Sequence, residues 1–107
     1  MTTATAACSG QIAFRNDVFR RSGAGMVLTQ GVRELKDLGK LLEAVRGFTA
    51  FTWENDPHGE RDFGTIQWGS EKVFWKIDYY DQNLEYWEDP TSNKCRRVIT
   101  VMLANEY

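Results

Sequence analysis

The stretch NDPHGERDFG, residues 55–64, gathers the side chains of this chain that are best suited to chemistry. It holds three carboxylates, Asp56, Glu60 and Asp62, together with the only histidine, His58. Carboxylates suit hard divalent cations, and imidazole suits zinc or iron. A metal-dependent hydrolase or a nuclease-like enzyme built on this segment is therefore one hypothesis.

The same stretch also has the composition of a turn. Asn55, Asp56 and Pro57 favour a turn, and Gly59 frees the backbone. The carboxylate spacing fits no metal-binding loop, and we expect Asn55 and Asp56 to cap backbone amides while His58 is solvated. The residues therefore favour a turn that leads into a strand, and we predict no catalytic residue, metal or cofactor.

Other catalytic templates fit less well. The GAG sequence at 23–25 precedes a strand rather than joining a strand to a helix, so it is no phosphate-binding loop. No nucleophile elbow or zinc motif occurs in the sequence. Asn16 and Asp17 could form an acidic cluster with Asp78 and Asp81, but helix-capping and buried salt-bridge roles are favoured.

Length and composition indicate one globular domain over residues 1–107. A chain of 107 residues can bury one core but hardly two, and a hydrophobic fraction of 42% argues against wholesale disorder. Residues 1–8 are small and predicted to be flexible. The start of the chain has neither a basic leader nor an apolar core, so we expect a cytoplasmic protein, in which Cys8 and Cys95 are free thiols.

The hydrophobic periodicity predicts two helices. In the first, Ser9 is a plausible N-cap and Gly23 a stop, with apolar residues at helical offsets: Ile12, Phe14, Val18 and Phe19. A short strand is predicted at 26–29. The second helix is predicted from Val32 to Phe48, where leucines recur at helical spacing.

After residue 60 the period changes to two, which predicts strands. A hairpin with Gly69 and Ser70 at its tip pairs Trp68 with Glu71, Ile66 with Val73, Gly64 with Trp75 and Arg61 with Asp78. One face then carries Ile66, Trp68, Val73, Trp75, Ile77 and Tyr79, and the opposite face carries Phe63, Phe74, Lys76, Asp78 and Tyr80. LEYWED at 84–89 suggests a further short strand, and RRVITVMLA at 96–104 a well-covered one.

These elements predict an α+β fold in which two helices pack on an antiparallel sheet of about four strands. Charge is uneven along the chain: residues 54–89 carry three Lys or Arg and ten Asp or Glu. Such an acidic block would repel nucleic acid and attract basic protein surfaces. Aromatic residues in this part of the chain, which could stack on bases, have acidic rather than basic neighbours, so direct nucleic-acid binding is disfavoured.

Several longer motifs resemble a family of small alphaproteobacterial domains of unknown function. They are FRNDVFRR, LTQGV, NDPHGERDFG, FWKIDYYD and VITVMLANEY, and together they run from about Ile12 to Tyr107. The family pattern has histidine where this chain has Arg61, and arginine can be neither a metal ligand nor a base there. The resemblance implies the company of plasmid or prophage genes and no known activity.

The leading hypothesis is a small non-enzymatic protein-binding domain that occupies the basic surface of a host nucleic-acid-binding protein. Its expected binding residues are Asp78, Tyr80, Asp81, Tyr86, Trp87 and Glu88. If the mobile-element company of the family carries over, the domain would be an inhibitor of the anti-CRISPR or anti-restriction kind. Homodimerisation through the same face, as a structural domain, and the metal-dependent enzyme are the alternatives. No membrane partner is expected.

Overall fold

The computed structural model describes residues 2–107, with side chains from residue 9 onward. This part of the chain forms three α-helices, a four-stranded sheet and a final 3-10 turn. The elements are α1 (Thr2–Ser22), β1 (Val27–Leu28), α2 (Gln30–Arg33), α3 (Leu38–Arg46), β2 (Phe63–Trp68), β3 (Glu71–Tyr80), β4 (Arg96–Leu103) and the 3-10 turn Ala104–Glu106. The predicted α+β class is confirmed.

The sheet has the strand order β1-β4-β3-β2 and is mixed. Strand β3 is antiparallel to both of its neighbours, β2 and β4, but β1 runs parallel to β4, with Val27 opposite Thr100. The prediction of a wholly antiparallel sheet was therefore wrong for β1. Local periodicity cannot indicate the direction of a strand whose partner lies so far away in the sequence.

The predicted hairpin register is confirmed from Trp68 opposite Glu71 to Gly64 opposite Trp75. Gly69 at the tip has φ +61°, a left-handed conformation that glycine adopts without strain. The ladder ends at Phe63, so the predicted pair of Arg61 with Asp78 does not form.

Helix α1 begins at Thr2, so Ser9 lies inside the helix rather than at its N-cap. The flexibility of residues 1–8 stays a prediction, since residue 1 and the side chains of residues 2–8 lie outside the described part. The helix ends before Gly23 (φ +69°), as predicted. Its expected apolar face was partly wrong: Ile12 is buried, whereas Phe14 and Val18 are 70% and 54% exposed.

The predicted second helix is in fact two helices, α2 and α3, because the helical conformation is interrupted between them. Asp37 adopts a left-handed conformation (φ 55°) just before α3. The break frees the carbonyl of Lys36, which accepts a hydrogen bond from the indole Nε1 of Trp68 at 3.0 Å. The helical spacing of the leucines continues across this interruption, so the sequence pattern did not indicate that the helix stops there.

The core lies between the helices and one face of the sheet. Its buried members are Val32, Leu41, Val45, Val73, Trp75, Ile77, Ile99 and Val101. The predicted inward face of β3 is thus confirmed at its three central positions. The second face of the sheet is half-buried, and Tyr107 packs there edge-on against Phe63 and Phe74. Nowhere between residues 2 and 107 is there a helix of the length and apolar character that a membrane crossing requires.

Candidate functional site

The segment 55–64 forms a turn that its own side chains hold. The Asn55 side chain accepts from the amide of Thr52 at 2.7 Å and donates to the carbonyl of Ala50 at 2.8 Å. Asp56 Oδ1 accepts from the amide of Arg61 at 3.2 Å. The predicted capping of backbone amides by Asn55 and Asp56 is therefore confirmed, and His58 is exposed to solvent.

Glu60 and Asp62 are neighbours, but the carboxylates of this segment do not form a metal-binding group. Within the part of the chain whose side chains are described, no three His, Cys, Asp or Glu residues lie close enough to hold a metal ion. Asp56 is engaged by the amide of Arg61, whereas Asp62 accepts from the hydroxyl of Tyr79 at 3.1 Å. The metal-dependent hypothesis gains no support from this geometry.

Behind the turn lies a buried polar cluster, which we define as Asn16, Asp17, Arg20, Asp62, Tyr79 and Arg97. Asn16 is fully buried at its centre. The Asn16 amide donates to the carbonyl of Glu60 at 2.9 Å and to the hydroxyl of Tyr79 at 2.8 Å, and it accepts from Arg97 Nε at 2.7 Å. One amide thus ties α1 to β3, to β4 and to the segment before β2.

Arg20 is the cationic member of this cluster that α1 inserts into the core. It is fully buried, and its guanidinium donates to Asp17 at 3.1 Å and to the carbonyl of Phe48 at 2.9 Å. Its Nε and one terminal nitrogen have no hydrogen-bond partner among the residues whose side chains are described. The guanidinium carbon lies 4.9 Å from the centre of the Trp75 ring, so a cation–π contact takes the place of those bonds.

Asp17 joins this cation to a second one, because its other oxygen accepts from Arg61 at 2.8 Å. The favoured salt-bridge role of Asp17 is thereby confirmed. The acidic cluster with Asp78 and Asp81 does not assemble: Asp78 pairs with Lys76 at 3.1 Å, and Asp81 accepts from amides of its own loop.

Burial perturbs the carboxyl groups beside the cluster. Desolvation, and then the neighbouring Asp62 carboxylate, raise the pKa of Glu60 above its ordinary value. Desolvation also raises the pKa of Asp62, and the hydrogen bond from Tyr79 opposes that rise. A cavity of about 520 Å³ beside the turn is lined by residues such as Trp53 and Arg61, but by neither Glu60 nor Asp62. Burial is thus the largest cause of both raised pKa values.

The predicted binding residues centre on the connection between β3 and β4. We call residues 81–89, DQNLEYWED, the acidic aromatic loop, since they include four carboxylates and no lysine or arginine. Tyr86 and Trp87 are 71% and 70% exposed, and Leu84 is 43% exposed. Large aromatic side chains with this much exposed area are typical of binding surfaces rather than of a folded core.

Hydrogen bonds fix the backbone of this loop. The Asp81 carboxylate accepts from the amides of Asn83 and Glu85 at 3.1 and 3.0 Å. The amide of Asp81 donates to the carbonyl of Tyr86 at 2.8 Å, and Trp87 forms a single bridge with Tyr80. This bridge is all that remains of the further strand predicted at 84–89. The loop thus displays its aromatic side chains on an ordered backbone.

The structure brings most of the predicted binding residues together. Tyr80, Asp81, Tyr86 and Trp87 are joined by the contacts above, and the amide of Glu88 lies 3.5 Å from the carbonyl of Tyr79. Asp78 instead lines a cavity of about 380 Å³ on the second face of the sheet, shared with Tyr80 and its ion-pair partner Lys76.

The exposed apolar side chains that were not predicted as surface features include Phe14, Val18 and Trp53, of which Trp53 is 87% exposed. The signal for the first two was the core-facing row of α1, where Ile12, Asn16 and Arg20 recur every four residues. Asn16 and Arg20 are polar, so a search for apolar residues alone did not identify this row as the side of α1 that faces the core.

These features define a small α+β domain with a buried polar cluster and one exposed acidic aromatic loop. A family model described as "Protein of unknown function (DUF3768)" matches residues 28–106. The chain belongs to this family, as the sequence motifs indicated. No curated protein sequence and no solved structure matches the chain. Helix α1 lies outside the matched range.

Proposed function

We propose that this chain is a non-enzymatic protein-binding domain, and that its acidic aromatic loop docks on a basic surface of another protein. The observation that carries the proposal is the exposure of Tyr86 and Trp87, 71% and 70%, on a loop whose backbone is held by hydrogen bonds. Tyr and Trp supply contact area at small entropic cost, and they are enriched at interface hot spots.

Charge gives the class of partner. The four carboxylates of the loop flank the two aromatic residues in the sequence, and a basic partner would be attracted to such an acidic segment. Basic surfaces occur on nucleic-acid-binding proteins, because positive charge binds the phosphate groups of the nucleic acid. Occupation of such a surface would make the domain an inhibitor, of the anti-restriction or anti-CRISPR type if the chain comes from a mobile element.

The test is capture of partners from the native host with the immobilised domain, at two salt concentrations. We expect capture by the wild type to weaken as salt rises. Glu85→Lys with Glu88→Lys should abolish it, whereas the matched double reversal Glu34→Lys with Glu43→Lys on the helices should retain it. The Asp81 carboxylate is left intact in this design because it holds the loop backbone.

The aromatic contribution has its own matched pair of variants. Trp87→Ala should reduce capture of the same partner by at least about tenfold, since truncating an interface hot spot costs 2 kcal/mol or more. Trp53→Ala removes an indole that is even more exposed, at 87%, but lies in another loop, and it should leave capture unchanged. Equal capture by the wild type, the loop double reversal and Trp87→Ala would refute the proposed function.

A further inference from the structure

A shallow groove lies between α1 and the start of β4. Its lining residues are Phe14, Arg15, Val18, Phe19, Cys95 and Arg97, and its volume is about 380 Å³. Phe14 and Val18 are four residues apart on the helix, so they are neighbours on one face, and both are more than half exposed. The groove thus offers an apolar floor to a ligand.

Two guanidinium groups line this groove, and both bond to neutral acceptors. Arg15 donates to the carbonyl of Thr91 at 2.7 Å, whereas Arg97 donates to the Asn16 side chain and, at 2.8 Å, to the carbonyl of Pro90. Neither takes part in an ion pair among the side chains from residue 9 onward. The nearby Asp89 carboxylate is engaged by the amide and hydroxyl of Thr91. Asp89 lies close enough to Arg15 for their charges to interact. Two guanidinium groups face this one carboxylate, so a net positive charge is left for an acidic ligand.

The acidic aromatic loop has the complementary chemistry. It presents Leu84, Tyr86 and Trp87 as apolar side chains, and Glu85 lies among them with a carboxylate for which the structure shows no bond. Its backbone hydrogen bonds hold it against its own β3, so it cannot fold back into the groove of its own molecule without breaking them.

We propose that the groove receives the acidic aromatic loop of a second copy of the chain, so that two copies exchange loops about a two-fold axis. The two surfaces are neighbours on one molecule, since Arg15 of the groove bonds to the carbonyl of Thr91, two residues after the end of the loop. A self-complementary patch of this kind closes as a dimer, in which each loop occupies the groove of the other copy. The loop is the one used in the proposed function, but the self-association needs no other protein.

The test is sedimentation equilibrium of the pure protein over a wide range of concentrations at low salt. We expect a reversible dimer that weakens as salt rises. Arg15→Glu in the groove and Glu85→Arg in the loop should each raise the dissociation constant by about tenfold or more. The controls are Arg33→Glu on α2 and Glu43→Arg on α3, which make the same charge changes elsewhere and should dimerise like the wild type.

The decisive sample is an equimolar mixture of Arg15→Glu and Glu85→Arg. In their heterodimer one contact is wild type and the other has both charges reversed, so the mixture should recover the dimer that each variant alone has lost. Thermal melts of both variants show whether they are folded. A wild type that stays monomeric, variants that dimerise like the wild type, or a mixture that stays monomeric would overturn the proposal. Because only pure protein is used, each of these outcomes leaves the proposed function to be decided by its own capture experiment.

Discussion

At the scale of single residues, Arg20 and Asp17 show how a charge is kept inside this small core. Burial lowers the pKa of Arg20 from its ordinary value, and the hydrogen bond from its guanidinium to Asp17 opposes that effect. Because the cation has no exposed surface, its stability depends on one carboxylate, one carbonyl and two aromatic rings.

Removing the carboxylate should therefore be costly. We expect Asp17→Ala to lower the free energy of unfolding by about 3–5 kcal/mol, since it leaves a buried guanidinium without its counter-charge. Chemical denaturation measures the change. Glu43→Ala, at an exposed position within α3, serves as the control for loss of a carboxylate. A cost below about 1 kcal/mol for Asp17→Ala would show that the aromatic rings alone stabilise Arg20.

The raised pKa of Asp62 predicts a pH dependence. A carboxyl whose pKa is higher in the folded than in the unfolded chain binds its proton more tightly when folded, so its contribution to stability is present at low pH and is lost as pH rises through the folded value. Asp62→Asn removes this titration. We expect the Tm of the wild type relative to Asp62→Asn to increase as pH falls from 7 towards the ordinary carboxyl range.

Melts at a series of pH values measure this difference. The Asn side chain keeps an oxygen that can accept from the hydroxyl of Tyr79, so the comparison isolates the charge. A Tm difference that is constant with pH, or that moves in favour of Asp62→Asn as pH falls, would contradict the assignment.

At the scale of elements, the β2–β3 hairpin depends on the contact of one large residue with one glycine. Trp75 is fully buried, and its indole lies against the backbone of Gly64 on the neighbouring strand. A Cβ atom at residue 64 would collide with that ring. Glycine is therefore required at this position by the close approach of the indole, and not only by backbone conformation.

Two substitutions test this packing from opposite sides. Trp75→Ala should lower the free energy of unfolding by about 3–5 kcal/mol because it leaves a cavity. Gly64→Ala should cost about 1–3 kcal/mol by overpacking. Thr65→Ala on the exposed side of the same strand is the control. Denaturant unfolding gives all three values, and a neutral Gly64→Ala would mean that the indole can move aside.

The elements also show what the sequence could and could not predict. The hairpin register was predictable because the Gly69–Ser70 turn and the period of two agree on it. The break at Asp37 was not, because the leucine spacing of the helix runs straight through it. The parallel pairing of β1 depends on contacts between residues far apart in the chain, which a local pattern does not contain.

The candidate site was predictable in the same uneven way. Tyr86 and Trp87 were predicted as binding residues because they lie in an acidic, aromatic stretch that was not assigned to the core. The groove could not be foreseen, because Phe14 and Val18 read as the buried side of α1. Because α1 turns Ile12, Asn16 and Arg20 towards the core, Phe14 and Val18 lie on the side of the helix that faces outward.

At the scale of the whole molecule, the two proposed contacts compete for one loop. A dimer through the groove would cover Tyr86 and Trp87, so a basic partner would have to displace the second copy before it could bind. The affinity measured for such a partner would then fall as the concentration of the domain rises. Helix α1 supplies most of the residues that line the groove, and it lies outside the range matched by the family model.

The strand order also has a consequence for biosynthesis. Strand β4 separates β1 from β3, and it is the last of the four to be made. Until residues 96–103 leave the ribosome, β1 has no partner in the sheet, and the apolar side of β3 lacks the neighbouring strand that carries Ile99 and Val101. The sheet therefore cannot form until its last strand has emerged, and we expect incomplete chains, which expose β1 and the apolar faces of the helices, to bind holding chaperones and to aggregate when the protein is overproduced.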